Sequence, residues 1–131
     1  LFRNIKEGST VLDIGCSTGY MSTVLAHLVG RQGKVIGVDV DAFNIEDANE
    51  VVNKYYPNLA PRIEFINANG HRGLVEKSPY DAIRVSSAIK DISNWWVQQL
   101  REGGILTVPL IQDNSDIQLT RCEKVGLKLN R

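Results

Sequence analysis

The segment Val11–Tyr20, which reads VLDIGCSTGY, constrains the fold more than any other part of the sequence. An apolar run leads into a turn bounded by Gly15 and Gly19, and the residues Met21 to Val29 that follow carry apolar side chains at helical spacing. This pattern predicts strand, turn and helix. Glycines allow the turn backbone conformations that other residues avoid, and the start of a helix offers unpaired N–H groups. We therefore expect a ligand to approach the main chain here.

A second apolar strand ends on Asp39, whose carboxylate can accept hydrogen bonds from both hydroxyls of a ribose. Together with the glycine turn, it predicts a nucleoside-cofactor site. Dinucleotide sites have the spacing G-x-G-x-x-G, with the pyrophosphate on the helix N-terminus. Here the pattern is D-x-G-x-x-x-G from Asp13 to Gly19, which resembles the first motif of class I S-adenosylmethionine-dependent methyltransferases. The alternatives are a nicotinamide site, or glycines that only shape a tight turn.

Strand and helix patterns alternate along the chain without a linker or repeat, which predicts an α/β fold with a doubly wound, mostly parallel sheet and helices on both faces. After the first two strands we expect helices over 43–56 and from Ser93–Asn94 to Leu100, and strands over 62–66, 80–85, 105–108 and 117–121, with a short final segment. Parallel strands place ligands at their carboxyl ends. The residues at those ends are Gly15, Asp39, Asn69 and Ser86.

The composition limits the number of domains and the classes of protein to which this chain can belong. With 131 residues, of which 43% are hydrophobic, residues 1–131 suit one packed domain. Fifteen basic residues balance fifteen acidic ones, so no overall charge favours nucleic acid or an anionic membrane. No apolar run approaches the roughly 18 residues of a membrane span. Residues 1–6 lack the apolar core of a signal peptide. We expect a soluble, cytoplasmic protein.

The two cysteines, Cys16 and Cys122, have neither metal-ligand nor disulfide-framework spacing. No neighbouring base or cation in the sequence would activate either thiol. We therefore predict two reduced cysteines, no metal site and no cysteine nucleophile.

Three later blocks narrow the family. They are 66–73 (INANGHRG), 78–85 (SPYDAIRV) and 100–109 (LREGGILTVP). Their order and spacing resemble the protein-L-isoaspartate O-methyltransferase family, in which the blocks read G-D-G-x-x-G, A-P-Y-D-A-I and L-K-P-G-G-x-L-x-x-P. The resemblance covers about residues 5–122. It implies a Rossmann-like class I methyltransferase fold that uses S-adenosyl-L-methionine, releases S-adenosyl-L-homocysteine, and methylates isoaspartyl and D-aspartyl carboxylates of damaged proteins.

The resemblance also implies roles for individual residues. Cofactor-binding residues would be Asp13, Gly15, Cys16, Ser17, Gly19, Asp39, Val40, Asn69 and Gly70. Asp39 would hold the ribose, and the Asn69 side-chain carbonyl would accept from the adenine amino group. Ser86 and Ser87 would be the catalytic positions, facing the reacting centre where the family has glycine and alanine. The simpler interpretations are that Asn69–Gly70 forms an ordinary turn and that Ser86 only hydrogen-bonds to backbone groups at the end of a strand.

This chemistry needs no catalytic triad. A carboxylate with a pKa of about 4 is already a nucleophile at neutral pH, and the protein chiefly aligns it with the methyl group. His71 is accordingly expected to be a positioned loop residue, and Arg72 a candidate for attracting a substrate carboxylate. Of the pair Trp95–Trp96, one ring should pack the helix on the sheet while the other is partly exposed.

The chain also departs from the family pattern. Ser17 and Ile111 replace glycines and Lys90 replaces a proline, and the family's upstream and C-terminal segments are absent, so we expect a fragment, a core or a reduced relative. The expected partners are isoaspartyl-containing peptides or proteins, without nucleic acid or membrane, and the chain is expected to be a monomer. Two alternatives stay open: a non-catalytic module that serves in protein interaction, and a small-molecule methyltransferase.

Overall fold

The computed structural model describes residues 5–131. Its α-helices are α1 (Tyr20–Val29), α2 (Ala42–Tyr55) and α3 (Asn94–Gln99). Its strands are β1 (Thr10–Ile14), β2 (Lys34–Asp39), β3 (Ile63–Asn67), β4 (Tyr80–Val85), β5 (Leu100–Ile111), β6 (Ile117–Val125) and β7 (Lys128–Asn130). Short 3-10 turns occur at Ala60–Arg62, Gly70–Arg72 and Val75–Lys77. The prediction about residues 1–6 falls mostly on residues 1–4, which lie outside the described residues.

All of these strands belong to one sheet of seven, in the order β3-β2-β1-β4-β5-β6-β7. The first five strands in that order run parallel, and β6 and β7 are antiparallel to their neighbours. The predicted mostly parallel, doubly wound sheet is confirmed. The strand order reverses between β1 and β4, and in open α/β sheets this reversal opens a crevice at the carboxyl ends of the strands.

The core lies on both faces of the sheet, as β1 illustrates. Val11 packs with Leu25 and Val29 of α1 on one face. Leu12 and Ile14 belong to the second cluster, together with Trp96 of α3. Because successive side chains of a strand point to opposite faces, this division means that α1 and α3 cover opposite sides of the sheet. Strands covered on both faces are apolar throughout, which explains the near-continuous apolar runs of the sequence.

Local signals place the helix ends close to their predicted positions. The side chain of Asp41 accepts a hydrogen bond from the Phe43 N–H at the start of α2. The side chain of Ser93 accepts a hydrogen bond from the Trp95 N–H at the start of α3, which confirms the predicted cap. Among residues 5–131, none of the helices has the length and apolar character needed to cross a membrane.

The sheet differs from the prediction mainly at β5, which begins at Leu100 rather than at residue 105. Its pairing with β4 jumps from Tyr80↔Leu100 to Ala82↔Ile105. This bulge lies at residues 101–104 of β5, and the strand continues through the glycines Gly103 and Gly104. At the end of α2, the side chain of Tyr55 is 64% exposed.

Candidate functional site

A cavity of about 430 Å³ opens in the crevice at the carboxyl ends of the strands. Its volume lies within the range of about 300–1,000 Å³ that small-molecule sites occupy. Eight of the eleven predicted site residues line it, namely Gly15, Ser17, Asp39, Val40, Asn69, Gly70, Ser86 and Ser87. The turns that follow β1, β2, β3 and β4 therefore meet around one space.

The other three predicted residues, Asp13, Cys16 and Gly19, do not line the cavity. Asp13 is fully buried, and its carboxylate accepts hydrogen bonds from Ser22 Oγ at 2.7 Å and from a guanidinium nitrogen of Arg84 at 2.6 Å. Gly19 has a left-handed φ of 92° at the start of α1. These three residues lie in or next to the glycine turn but outside the cavity lining, and the cofactor contact expected of them stays a prediction.

The turn between β1 and α1 is held by its backbone. The N–H groups of Gly15 and Cys16 donate to the Val38 carbonyl at 2.9 and 3.0 Å. Gly15 has a left-handed φ of 76°, and a Cβ on it would lie 2.1 Å from Ser86 Oγ, so this position favours glycine. Ser17, by contrast, adopts a left-handed φ of 55° although it carries a side chain, and this side chain is exposed at the cavity.

The Asp39 carboxylate is oriented by two backbone donors. Its Oδ2 accepts from the Ser17 N–H and its Oδ1 from the Asp41 N–H, each at 2.9 Å. An ionised carboxylate has about four acceptor positions, so about two remain for a ligand at the cavity. A carboxylate fixed in this way suits a vicinal diol such as that of a ribose.

The loop after β3 is fastened to α3. Trp96 Nε1 donates to the Gly70 carbonyl at 2.7 Å, and Ser93 Oγ donates to the His71 carbonyl at 2.7 Å. Within the loop, Asn69 Oδ1 accepts from the His71 N–H at 3.1 Å. The ring of His71 lies edge-on to that of Trp96, with centroids 6.3 Å apart. The loop therefore presents Asn69 to the cavity from a rigid support.

The two serines after β4 differ in what their hydroxyls do. Ser86 Oγ donates to the Gly15 carbonyl at 2.9 Å, and the Ser86 N–H donates to the Ile14 carbonyl at 3.0 Å. Ser86 thus ties the end of β4 to the glycine turn. Ser87 is exposed and lines the cavity, and no described residue hydrogen-bonds to its hydroxyl. The Ser87 hydroxyl is therefore available to a ligand.

The charges around the cavity limit what it can bind. Of the described residues that line it, none is lysine or arginine, the side chains that most often bind phosphate groups through a permanent charge. Burial, and then the nearby carboxylates of Asp13 and Asp39, raise the pKa of the Cys16 thiol to about 12. The thiol stays protonated at neutral pH and is a poor nucleophile. Over residues 5–131, no cluster of three His, Cys, Asp or Glu side chains could hold a metal ion.

Sequence reasoning missed most of the apolar wall of the cavity. This wall consists of Ile14, Val38, Ala68, Val85, Ile89 and Trp96. Trp96 is buried and Trp95 is 48% exposed, which confirms the prediction that one ring packs and the other is partly exposed. The packed ring also borders the cavity, which residue spacing alone does not reveal. Arg72, Lys90 and Ile111 lie outside the cavity lining.

A sequence profile of the protein-L-isoaspartate(D-aspartate) O-methyltransferase family matches residues 1–129. The chain is similar to the protein-L-isoaspartate O-methyltransferase of Caenorhabditis elegans, with 29% identity over all of this chain and 59% of that protein. It is also similar to the enzyme of the same name from Methanococcus aeolicus, with 37% identity over 84% of this chain and 51% of that protein. The chain thus spans between half and three fifths of the length of these curated relatives.

A solved structure from Plasmodium falciparum has the same fold, with a TM-score of 0.87 over 99% of this chain and 63% of that one. That protein is described as a proposed protein-L-isoaspartate O-methyltransferase in complex with S-adenosyl-L-homocysteine, and its identity to this chain is 22%. The likeness confirms the predicted Rossmann-like methyltransferase fold.

Proposed function

Because the chain belongs to the protein-L-isoaspartate O-methyltransferase family, we propose that it is the S-adenosylmethionine-binding core of an enzyme that methylates isoaspartyl and D-aspartyl carboxylates in damaged proteins. We place this core in a single domain over residues 1–131. The observation that carries the proposal is the convergence of Asp39, Asn69 and Ser87 on one cavity without a lysine or arginine in its lining. A nucleoside ligand without phosphate groups fits this arrangement.

The chain's residues fit such a cofactor in a definite order. Asp39, with its acceptor positions oriented by Ser17 and Asp41, would hold the ribose hydroxyls. Asn69 and Gly70 would border the base, with the exposed Val40 beside it. The glycine turn at Gly15 would lie along the methionine end. When bound, the cofactor supplies an activated methyl group on a sulfonium.

The protein's contribution is mainly alignment. A substrate carboxylate is ionised at neutral pH, so no general base is needed, and the protonated thiol of Cys16 offers none. The apolar wall of the cavity reduces water near the reacting atoms. Ser86 fixes the glycine turn, and the free hydroxyl of Ser87 is placed to orient the incoming carboxylate. Such positioning lowers the barrier without acid or base catalysis.

We also propose that the protein acts as a monomer in the cytoplasm, on isoaspartyl-containing peptides or proteins and without nucleic-acid or membrane partners. The balance of fifteen basic and fifteen acidic residues supports this choice of partner. The expectation is strongest for nucleic acid, since a phosphate backbone requires clustered lysine or arginine.

Calorimetric titration with S-adenosylhomocysteine and S-adenosylmethionine, followed by transfer of labelled methyl to an isoaspartyl peptide, tests the proposal. We expect binding of both ligands and methylation of the isoaspartyl peptide but not of the matched aspartyl peptide. Absence of binding by a chain shown to be folded would refute the cofactor assignment. Binding without transfer would favour the non-catalytic module, and transfer only to small carboxylic acids the small-molecule enzyme.

A further inference from the structure

One face of α3 binds the main chain of the loop after β3. The side chains of α3 and of its cap donate hydrogen bonds to three consecutive backbone carbonyls of that loop. The pairs are Trp96 Nε1 with Gly70 at 2.7 Å, Ser93 Oγ with His71 at 2.7 Å and Gln99 Nε2 with Arg72 at 2.9 Å. The three donors lie three residues apart in the chain, so they follow one side of the helix.

Gln99 makes the most extensive of these contacts. Besides donating to the Arg72 carbonyl, its amide accepts the Leu74 N–H at Oε1, at 2.9 Å. A Cβ on Gly73, between the two, would lie 2.1 Å from the same Oε1, so the loop backbone lies directly against the amide. Gln99 is only 3% exposed and lies outside the cavity lining. A ligand in the cavity therefore meets the loop and not Gln99.

The opposite end of the same loop forms part of the cavity wall. Asn69, Gly70 and His71 all line the cavity. The Gly73 N–H donates to the Gly70 carbonyl at 2.9 Å, which ties the segment held by Gln99 to the segment at the cavity. Because only the 3-10 turn Gly70–Arg72 separates the two ends, a displacement at one end moves the other.

We propose that Gln99 is a positioning residue, which sets the affinity of the cavity for its ligand by holding the loop after β3 in the binding position. This inference rests on the proposed function, because it takes the ligand to be an S-nucleosyl cofactor. Without the amide, the Arg72 carbonyl and the Leu74 N–H lose their partner, and the loop holds its position in a smaller fraction of molecules. The apparent affinity falls in proportion to that fraction.

The first test is calorimetric titration of Gln99→Met with S-adenosylhomocysteine. Methionine has a similar length and makes neither hydrogen bond, and we expect the dissociation constant to rise by about tenfold. Thr120→Val is the matched control. It removes the hydrogen bond from a 7% exposed hydroxyl to the Gln118 carbonyl in β6, outside the cavity lining. This control should lower the free energy of unfolding and leave the dissociation constant unchanged.

Gln99→Glu separates positioning of the loop from packing of the side chain. An ionised glutamate has no donor for the Arg72 carbonyl, whereas a protonated one can donate to it and still accept the Leu74 N–H. Burial disfavours the ionised form, which moves protonation into the mildly acidic range above the ordinary pKa of about 4.3. We expect the ratio of the variant's dissociation constant to that of the native chain to be high at pH about 8 and to fall towards one at pH about 5.

The outcomes separate the inference from the proposed function. Native affinity in a folded Gln99→Met would show that Gln99 does not position the loop, although the cofactor assignment would stand. A Gln99→Glu ratio that stays the same at both pH values would overturn the inference even if Gln99→Met failed to fold. An equal loss of affinity in Thr120→Val would indicate general destabilisation and also overturn it. If the folded native chain does not bind the ligand, the cofactor assignment fails and the inference fails with it.

Discussion

Asp39 Oδ2 accepts the backbone N–H of Ser17 at 2.9 Å, which joins the end of β2 to the turn after β1. The residue proposed to bind the ribose thus also fixes the turn that borders the same cavity. Because its second oxygen accepts the Asp41 N–H, the carboxylate is oriented before any ligand arrives. A preorganised acceptor loses little conformational freedom on binding.

Replacing Asp39 with alanine should weaken the binding of S-adenosylhomocysteine by roughly 2–4 kcal/mol, because two hydrogen bonds to a charged acceptor are lost. It should also lower the free energy of unfolding modestly, since the N–H groups of Ser17 and Asp41 lose their acceptor. Asp39→Asn, which keeps the shape and removes the charge, should fall between alanine and the native residue. Unchanged affinity in a calorimetric titration of Asp39→Ala would exclude Asp39 as the ribose ligand.

Ser17→Gly should raise the free energy of unfolding. The left-handed φ of 55° strains a residue that has a side chain. The relief of about 1–2 kcal/mol exceeds the entropic cost of glycine, about 0.5–1 kcal/mol, so the net gain is small but positive. Affinity for the cofactor should rise too, because the side chain leaves the cavity wall. Ser115→Gly is the matched control, with a φ of 69° at a residue outside the cavity, and should change urea unfolding without changing affinity.

Arg84→Met should destabilise the fold strongly. The Arg84 side chain is 24% exposed and its partner Asp13 is 0% exposed, so the variant leaves a buried carboxylate without its counterion. Loss of one partner of a buried ion pair costs about 3–5 kcal/mol. Arg101→Met breaks the exposed pair with Asp81 and should cost no more than about 1 kcal/mol. Equal losses of unfolding free energy in the two variants, measured by urea unfolding, would contradict the role of Asp13 as a buried carboxylate that needs Arg84.

Stability should fall as the pH rises above the ordinary pKa of a thiol. Burial raises the pKa of Cys16 to about 12, whereas in the unfolded chain it is near its usual value of 9.0. Between these values the unfolded state binds fewer protons than the folded state, so the free energy of unfolding decreases with pH. Burial also raises the pKa of Tyr80 and the pKa of Cys122.

Cys16→Ala should therefore flatten the dependence of the unfolding free energy on pH above 9.0. In the native chain, Cys16 should resist iodoacetamide at pH about 8 and react only on unfolding, because the thiolate is the reactive form. Rapid alkylation of Cys16 in the folded chain would contradict the raised pKa.

The two adjacent tryptophans should report on binding separately. Trp96 borders the cavity, whereas Trp95 is 48% exposed and lies outside the cavity lining. We expect S-adenosylhomocysteine to change the fluorescence of Trp95→Phe, which retains Trp96. In Trp96→Phe the change should be lost, and loop 68–71 should loosen because Gly70 loses its indole donor. A fluorescence change that follows Trp95 instead would place the ligand elsewhere.

Much of the fold follows from local patterns. The apolar runs of β1 and β2, the Ser93 cap and the glycine turn each depend on residues close in the chain, and each occurs where the sequence predicts it. The rule that ligands lie at the carboxyl ends of parallel strands then brings Asp39 and Asn69 together without any knowledge of side-chain contacts.

The remaining features depend on contacts between distant residues. Trp96 reaches Gly70 across 26 positions, and Ser86 reaches Gly15 across 71, so no periodicity encodes either hydrogen bond. The start of β5 at Leu100 depends on a bulge in its pairing with β4, which the local sequence does not indicate. The orientation of the Asn69 amide depends on the backbone N–H of His71, in the loop that follows it.

The order of the strands along the chain means that one side of the crevice is synthesised before the other. β1, β2 and β3 are complete at Asn67, and they can pair with one another before the rest of the chain emerges. The opposite side of the crevice consists of Ser86, Ser87 and Trp96, which are made later. A ligand that binds only the finished crevice can stabilise the nascent chain only after Trp96 has left the ribosome, and by mass action it then favours the completed sheet over the half-formed one. The cofactor would therefore stabilise this part of the chain only after both sides of the crevice have been synthesised.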